Sequence, residues 1–355
     1  MIVLGIDTSC DDTSAALIED GRNILGNVVR SQLRMHEPHG GVVPEVASRA
    51  HLGDIAGVVS DALAQAKLTL DGVDAIGVTY GPGLSGSLRV GLSFAKGLSL
   101  ARGLPLIPVN HLEGHVYSNW LIADPSHPGP EPRFPVLVLI VSGGHTELVL
   151  MREHCRYQLL GSTRDDAAGE AFDKVGRQLG LGFPGGPAIQ RAAAAYSAEA
   201  AKDGAGLTAP DLPRAWLRGT SDFSFSGLKT AVWHMLEERK RESDGCADEQ
   251  TRGGIALAFQ DSVVEVLVTK ALAAAQEHRV STICVCGGVA SNVALRTRIT
   301  EASRVPVYVP PPFLCVDNGA MIGAATYYRQ MHLPWPEGED ALAVDAISSL
   351  ALPVV

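Results

Sequence analysis

His111 and His115 stand four residues apart in the segment His-Leu-Glu-Gly-His (111–115). On a helix that spacing puts both imidazoles on one face, within reach of a single metal ion. Asn110 is a residue type suited to a helix N-cap, and Val116, Trp120 and Leu121 continue an apolar stripe, so a helix opening at 111 is expected. Gly114 weakens that helix by about 1 kcal/mol relative to Ala. Two ordinary histidines, one capping and one packed, remain the alternative at this point. Asp317 offers a third donor, in Cys-Val-Asp-Asn-Gly-Ala-Met (315–321), where a second apolar helix is expected to begin. Two histidines and one aspartate on rigid helices would leave coordination positions open for a substrate. Glu113 lies two residues from each histidine, which is HxExH and not HExxH. A glutamate general base aimed at a metal-bound water is therefore not supplied as in the usual metalloprotease.

Two glycine turns offer a different chemistry. Ser142-Gly143-Gly144 lets backbone N–H groups converge on an anion, although a hairpin needs such a turn anyway. Gly287-Gly288 before a helix adds the positive end of a helix dipole. No GxxxxGK[ST] is present, so Lys229 is not a P-loop lysine. Asp166, Glu170 and Asp173 share helical spacing, and a solvated acidic face is the competing reading. Asp173 stands out because Phe172 and Val175 should anchor its helix in the core.

The elements that must position these residues come in two similar runs. An apolar strand at 2–7, a polar turn at 8–13 and strands at 14–19 and 23–32 lead into a helix at 44–66. A buried strand at 73–80, a helix at 87–102 and a strand at 104–109 then reach the histidine pair. The stretch 123–135 holds five prolines and is the expected lobe boundary. The second run repeats the opening, with strands at 135–142, 146–151 and 157–162, a helix at 166–179, a Gly/Pro loop at 183–187 and an Ala-rich helix at 188–201. After a polar insertion come a long helix at 251–277, a strand at 280–286, the Gly-Gly turn, and a last strand at 305–309 before a helix at 317–331. Two three-stranded meanders, each followed by alternating strands and helices, describe a duplicated α/β fold with a cleft between lobes. The expected lobes are 1–125 and 135–355, with a helical and polar insertion around 184–250 and the final helix packed back on the first lobe.

The chain has 355 residues and an apolar fraction of 46%, enough for two cores. A formal charge of −10 argues against a general nucleic-acid coat, so any contact with RNA must rest on a local patch or a partner. Arg214, Arg218, Lys229, Arg239, Lys240 and Arg241 are the local patch, with a solvated surface as the alternative. Six cysteines, at 10, 155, 246, 284, 286 and 315, form no CxxC pair, which suits buried thiols in a reducing compartment. No basic leader precedes an apolar segment and the longest apolar run is far too short for a bilayer, so a cytoplasmic protein without membrane contact is expected.

The strand pattern resembles the actin, Hsp70 and sugar-kinase (ribonuclease H-like) superfamily, where two hairpin turns face phosphates and a late Gly-Gly turn holds adenosine. The matching turns are 7–13, 142–145 and 287–292. More specifically, His-Leu-Glu-Gly-His, Val-Ser-Gly-Gly-His-Thr-Glu-Leu (141–148), Asp-Asp-Ala-Ala-Gly-Glu-Ala-Phe-Asp-Lys (165–174), Pro-Gly-Gly-Pro (184–187), Asp-Phe-Ser-Phe-Ser-Gly-Leu-Lys-Thr (222–230), Cys-Gly-Gly-Val-Ala-Ser-Asn (286–292) and Asp-Asn-Gly-Ala-Met-Ile (317–322), in that order, resemble the TsaD family. The resemblance implies transfer of threonylcarbamoyl from threonylcarbamoyl-AMP to N6 of adenosine 37 in tRNAs that read ANN codons, with release of AMP. It implies one Fe2+ per subunit, or Zn2+, on His111, His115 and Asp317. It makes Ile140, Val141, Ser142, Gly143 and Gly144 the cradle of the adenylate's phosphate and threonylcarbamoyl part, Asp173 the ribose acid, Gly186 the glycine beside the nucleotide, and Asn292 the amide near adenosine. A TsaB-like paralogue and a TsaE-like ATPase are the implied partners. Two positions depart from the family's pattern, Asp7 and Asp12 standing where glutamate is usual; Asp12 is the candidate for orienting the amine or taking a proton. An ATPase or a metalloprotease in the same cleft is the alternative activity.

Overall fold

The computed structural model describes residues 1–203, 209–242, 248–334 and 339–354. Among these residues are ten strands: β1 (Ile2–Asp7), β2 (Asp12–Glu19), β3 (Asn23–Ser31), β4 (Ala75–Gly81), β5 (Leu106–Asn110), β6 (Val136–Val141), β7 (Thr146–Glu153), β8 (Arg156–Ser162), β9 (Thr282–Cys286) and β10 (Val307–Tyr308). The α-helices are α1 (Leu33–His36), α2 (Pro44–Ala66), α3 (Ser85–Arg102), α4 (His111–Tyr117), α5 (Ala168–Gln178), α6 (Gly185–Asp203), α7 (Ser226–Glu242), α8 (Glu249–Glu277), α9 (Val293–Ala302), α10 (Pro312–Cys315), α11 (Gly319–His332) and α12 (Glu339–Ala343).

Two five-stranded sheets result, ordered β3-β2-β1-β4-β5 and β8-β7-β6-β9-β10. In each the first strand pairs antiparallel with the second and parallel with the fourth, so the second sheet repeats the topology of the first. β1 and β6 are the central strands, and β6 throughout and β1 as far as Ile6 read as apolar runs because they are covered on both faces. The last strand is shorter than the sequence suggests. Pro306 and Pro310 flank it, and proline donates nothing to a ladder.

Two helix starts differ from the sequence reading. Asp317 precedes α11 instead of opening it, because the Asn318 side chain accepts from Met321 N and makes residue 318 the cap. Asp166 lies outside α5, whose first turn is fixed when Ala168 N donates to Thr146 Oγ1. The acid is also not on a solvated face: it is buried and receives Lys174 Nζ at 2.7 Å and Lys229 Nζ at 2.9 Å.

The halves share a core. Leu112, Val116, Tyr117 and Trp120 pack in one cluster with Val136, Val138, Ile140, Cys284 and Cys286 of the second sheet and Met321, Ile322 and Ala325 of α11. Truncating one such aromatic to Ala typically costs about 3–5 kcal/mol. Helix α11 also lies directly on β1, where a Cβ on Gly5 would meet Gly319 O at 2.3 Å and Gly323 N at 2.4 Å. Backbone therefore touches backbone, and a helix from the end of the chain is held against the first strand. Among the described residues, no helix is long and apolar enough to cross a membrane.

Candidate metal centre and adjoining pocket

Helix α4 begins where Asn110 Oδ1 accepts from Leu112 N at 2.8 Å, an N-cap worth about 1 kcal/mol. The cap brings both histidines to face Asp317, whose Oδ1 lies 3.4 Å from His111 Nε2 and 3.4 Å from His115 Nε2. One donor atom from each of the three lies within 4.8 Å of the others. Behind His111, Asp7 Oδ1 stands 3.6 Å from Nδ1, and both atoms are buried without another partner. Burial works against a charge on His111, but Asp317 and Asp7 outweigh it and push the imidazole up to about 10. Burial likewise opposes charge on Asp317, yet His111 and His115 hold it below the carboxylate range. Two imidazoles and a carboxylate with one partly open side suit a divalent cation of borderline softness such as Fe2+ or Zn2+. The three residues fit such an ion.

Glu113 points elsewhere. Its Oε2 accepts from Arg329 Nη1 of α11 at 2.6 Å, with the carboxylate wholly buried. The pair ties α4 to the helix that follows Asp317, so the residue between the histidines is committed to packing two helices together.

The turn after β1 carries the remaining acids of the first lobe. Ser9 Oγ donates to Asp7 Oδ2 at 3.0 Å. Asp12 opens β2 with its Oδ1 buried and unpartnered. Burial, then the nearby Asp317, Asp11 and Asp7 charges, raise Asp12 to about 7 against a bond to Ser31 that lowers it. Asp12 therefore changes charge near neutral pH.

On the second lobe a cavity of about 310 Å³ is lined by Gly143, Gly169, Phe172, Asp173, Gly186, Gln190, Gly288, Ser291, Asn292 and Val316, among others. Gly143 and Gly144 leave open space where a Cβ would stand, whereas Ile140 and Val141 turn their side chains into the core and can offer only backbone. Asp173 Oδ1 accepts from Gly185 N at 2.7 Å and so shapes the turn containing Gly186; burial raises this acid above its usual range. Asn292 caps α9 through Oδ1 to Leu295 N and donates Nδ2 to Gln260 Oε1, leaving one amide hydrogen for a ligand. Gln190 gave no sequence signal: it reaches the cavity from α6, its Oε1 accepting from Val293 N. His145 is pushed down to about 4 by burial and then by His111 and His115, so the glycine turn of the second lobe lies near the two histidines of α4. Asp7, marked in the sequence only by standing where the family usually has glutamate, is thus the acid behind His111.

Of the six basic residues named from sequence, Arg214 is held by Glu265 and Asp211, and Lys229 by Asp166. The Lys240 side chain and Cys246 lie outside the described residues, as do parts of the 184–250 insertion.

A duplicated sheet with a pocket on one lobe and a candidate metal triad where the halves meet defines a two-lobed α/β protein of the actin, Hsp70 and sugar-kinase type. Among solved structures, the chain is similar to full-length HypF in its phosphate- and nucleotide-bound form, with a TM-score of 0.56 and 12% identity over 93% of this chain and 46% of that one. It is also similar to (R)-2-hydroxyglutaryl-CoA dehydratase component A of Acidaminococcus fermentans, with a TM-score of 0.51 and 14% identity over 93% and 98% of the two chains. These likenesses speak to fold alone. At the sequence level, the family model of TsaD, tRNA N6-adenosine threonylcarbamoyltransferase, matches residues 23–324. A protein of that name from Thermomicrobium roseum is 53% identical over 92% of each chain, and one from Dehalococcoides mccartyi 49% identical over 99% of each. The chain belongs to the TsaD family.

Proposed function

We propose that the chain transfers threonylcarbamoyl from threonylcarbamoyl-AMP to N6 of adenosine 37 in tRNAs that read ANN codons, releasing AMP. One observation carries this reading: the wall of the second-lobe cavity includes Val316, the chain neighbour of the triad's Asp317. A nucleotide seated in the cavity would lie beside the triad.

His111, His115 and Asp317 would hold one Fe2+ per subunit, with Zn2+ compatible with the same donors. Bound there, the ion would supply Lewis acidity toward oxygen atoms of the threonyl part. Gly143, Gly144 and the backbone of 140–142 cradle the phosphate and the threonylcarbamoyl group, Asp173 accepts from a ribose hydroxyl, and Gly186 and Asn292 border the nucleoside. The reaction forms a bond from N6 to the carbamoyl carbon and breaks that carbon's bond to the phosphate oxygen, which leaves with AMP. N6 loses one proton, and Asp12, titrating near neutrality, is the residue we assign to take it. A mixed anhydride is already activated, so orientation in the cleft is the main task left to the protein.

The lobes are taken as 1–125 and 135–355, with the insertion around 184–250; contact of α11 with β1 supports lending that helix to the first lobe. Since the net charge of −10 opposes a polyanion, tRNA delivery and turnover are assigned to a TsaB-like paralogue and a TsaE-like ATPase in the cytoplasm.

The test supplies purified protein and these partners with threonylcarbamoyl-AMP and an unmodified tRNA transcript, followed by nucleoside mass spectrometry. A threonylcarbamoyl adenosine that disappears with Asp317→Ala supports the reading. Unmodified adenosine, or release of AMP without transfer, overturns it. Cleavage of a peptide panel that is lost with His111→Ala would favour the protease instead.

A further inference from the structure

Residues 344–354 follow α12 as a strap without regular structure, beyond the stretch matched by the family model. On the first lobe, Lys96 Nζ donates to Val344 O at 2.5 Å, Ile347 N to Tyr80 O at 2.8 Å, and Gly83 N to Ser348 O at 3.1 Å. Further on, Asn110 Nδ2 donates to Ala351 O at 2.8 Å, Leu352 is buried in the shared core, and Val354 forms a parallel bridge with Tyr157 of β8. The strap thus runs from one sheet to the other.

Two of these contacts end on the site. Asn110 uses its oxygen to cap α4, which carries His111 and His115, and its amide nitrogen to hold the strap. Gly83, bonded to the strap on one side, lies against the acid turn on the other, where a Cβ would meet Ser9 O at 2.5 Å; the next residue, Leu84, donates to that same oxygen at 2.8 Å. Gly81 is small for the same reason: the three nearest atoms a Cβ there would meet all belong to Ile347 and Leu350, the first at 2.2 Å.

We propose that the strap 344–354 is a positioning element of the site, holding the cap of the metal-binding helix through Asn110 and the acid turn through Gly83. Fixing an amide through both ends restricts its rotation, so the cap geometry depends on a strap residue 241 positions away in the chain. The cobalt part of the test rests on the metal reading above; the exchange part does not.

The experiment uses the full chain with two variants that dislodge the strap, Gly81→Ala by steric conflict and Leu352→Asp by burying a charge. Val232→Ala, a truncation in the distant second-lobe core, serves as a stability control. Hydrogen exchange in metal-free protein reads peptides from the strap and from 111–117, and chelator competition reads Co2+ affinity. Both strap variants should speed exchange in the two regions and weaken Co2+ binding about tenfold, as loss of an orienting outer partner does. The control should change neither. Faster exchange in the strap with unchanged exchange at 111–117 overturns the proposal, and so does a strap that stays protected in both variants. A parent protein that binds no Co2+ counts against the metal reading, and the exchange data then decide the strap alone.

Discussion

The two sheets share one strand order, and the turns after their first strands differ in charge. In the first lobe this turn carries Asp7, Asp11 and Asp12, with Asp7 wholly buried against His111. In the second lobe it carries Ser142, Gly143 and Gly144, open where side chains would stand. A phosphate facing the three aspartates is repelled, while one over the glycine turn finds backbone N–H groups. The duplicated topology supplies two equivalent stations, and the residues on each decide what it receives. The acid turn disfavours an anion, and the triad that Asp7 backs has the donors for a cation.

The sharpest way to break this comparison is to remove a donor of the candidate metal triad where the halves meet. Asp317→Ala should lower bound metal from about one ion per chain to nearly none and cost about a thousandfold in transfer, the several kcal/mol expected of a lost Lewis acid. Elemental analysis beside single-turnover rates checks it, and full occupancy in the variant would end the triad.

Asp12→Asn is next, with a loss of about a hundredfold where a positioned base is removed. The parent's rate should rise with pH through about 7 as Asp12 ionises, and the variant's should not. Stability should move the other way. The folded state raises this acid above its unfolded value, so the native protein binds more protons between the two values and loses stability as pH rises through about 7. Asp12→Asn escapes that loss and should melt higher than the parent at pH 8. A variant that melts lower there would show the acid to be favourably paired.

The smallest effect belongs to the second lobe. Asp173→Asn should weaken adenylate binding about tenfold, the scale of a hydrogen bond to a charged group, while leaving metal content intact. Calorimetric titration with a non-reactive adenylate analogue measures it. Metal loss in this variant would show that the lobes are not divided in labour.

Helical periodicity recovers α2 to the residue, from Pro44 to Ala66, and short apolar runs between polar turns recover the two meanders, because those elements are ruled by local spacing. The i,i+4 histidines were legible for the same reason. What the sequence hid depends on contacts distant in the chain: Glu113 turned to Arg329, Asp166 placed between two lysines, Gln190 brought to the cavity, and the strap. An isolated acid looks alike whether solvent or a lysine 63 residues away receives it. Cap choice also escaped reading, since Asn318 beside Asp317 moved the start of α11 by two residues.

The core shared by the halves bears on motion. Opening the cleft as a clamshell would pull Tyr117 and Trp120 from Val136, Val138 and Ile140 of the second sheet, with which they share one buried cluster. Each fully buried aromatic of this kind holds back roughly 1.5–3 kcal/mol. Hinged domain closure of the kind kinases use is therefore expensive for this chain. A small ligand would then have to enter the cavity through its mouth, without the two halves parting.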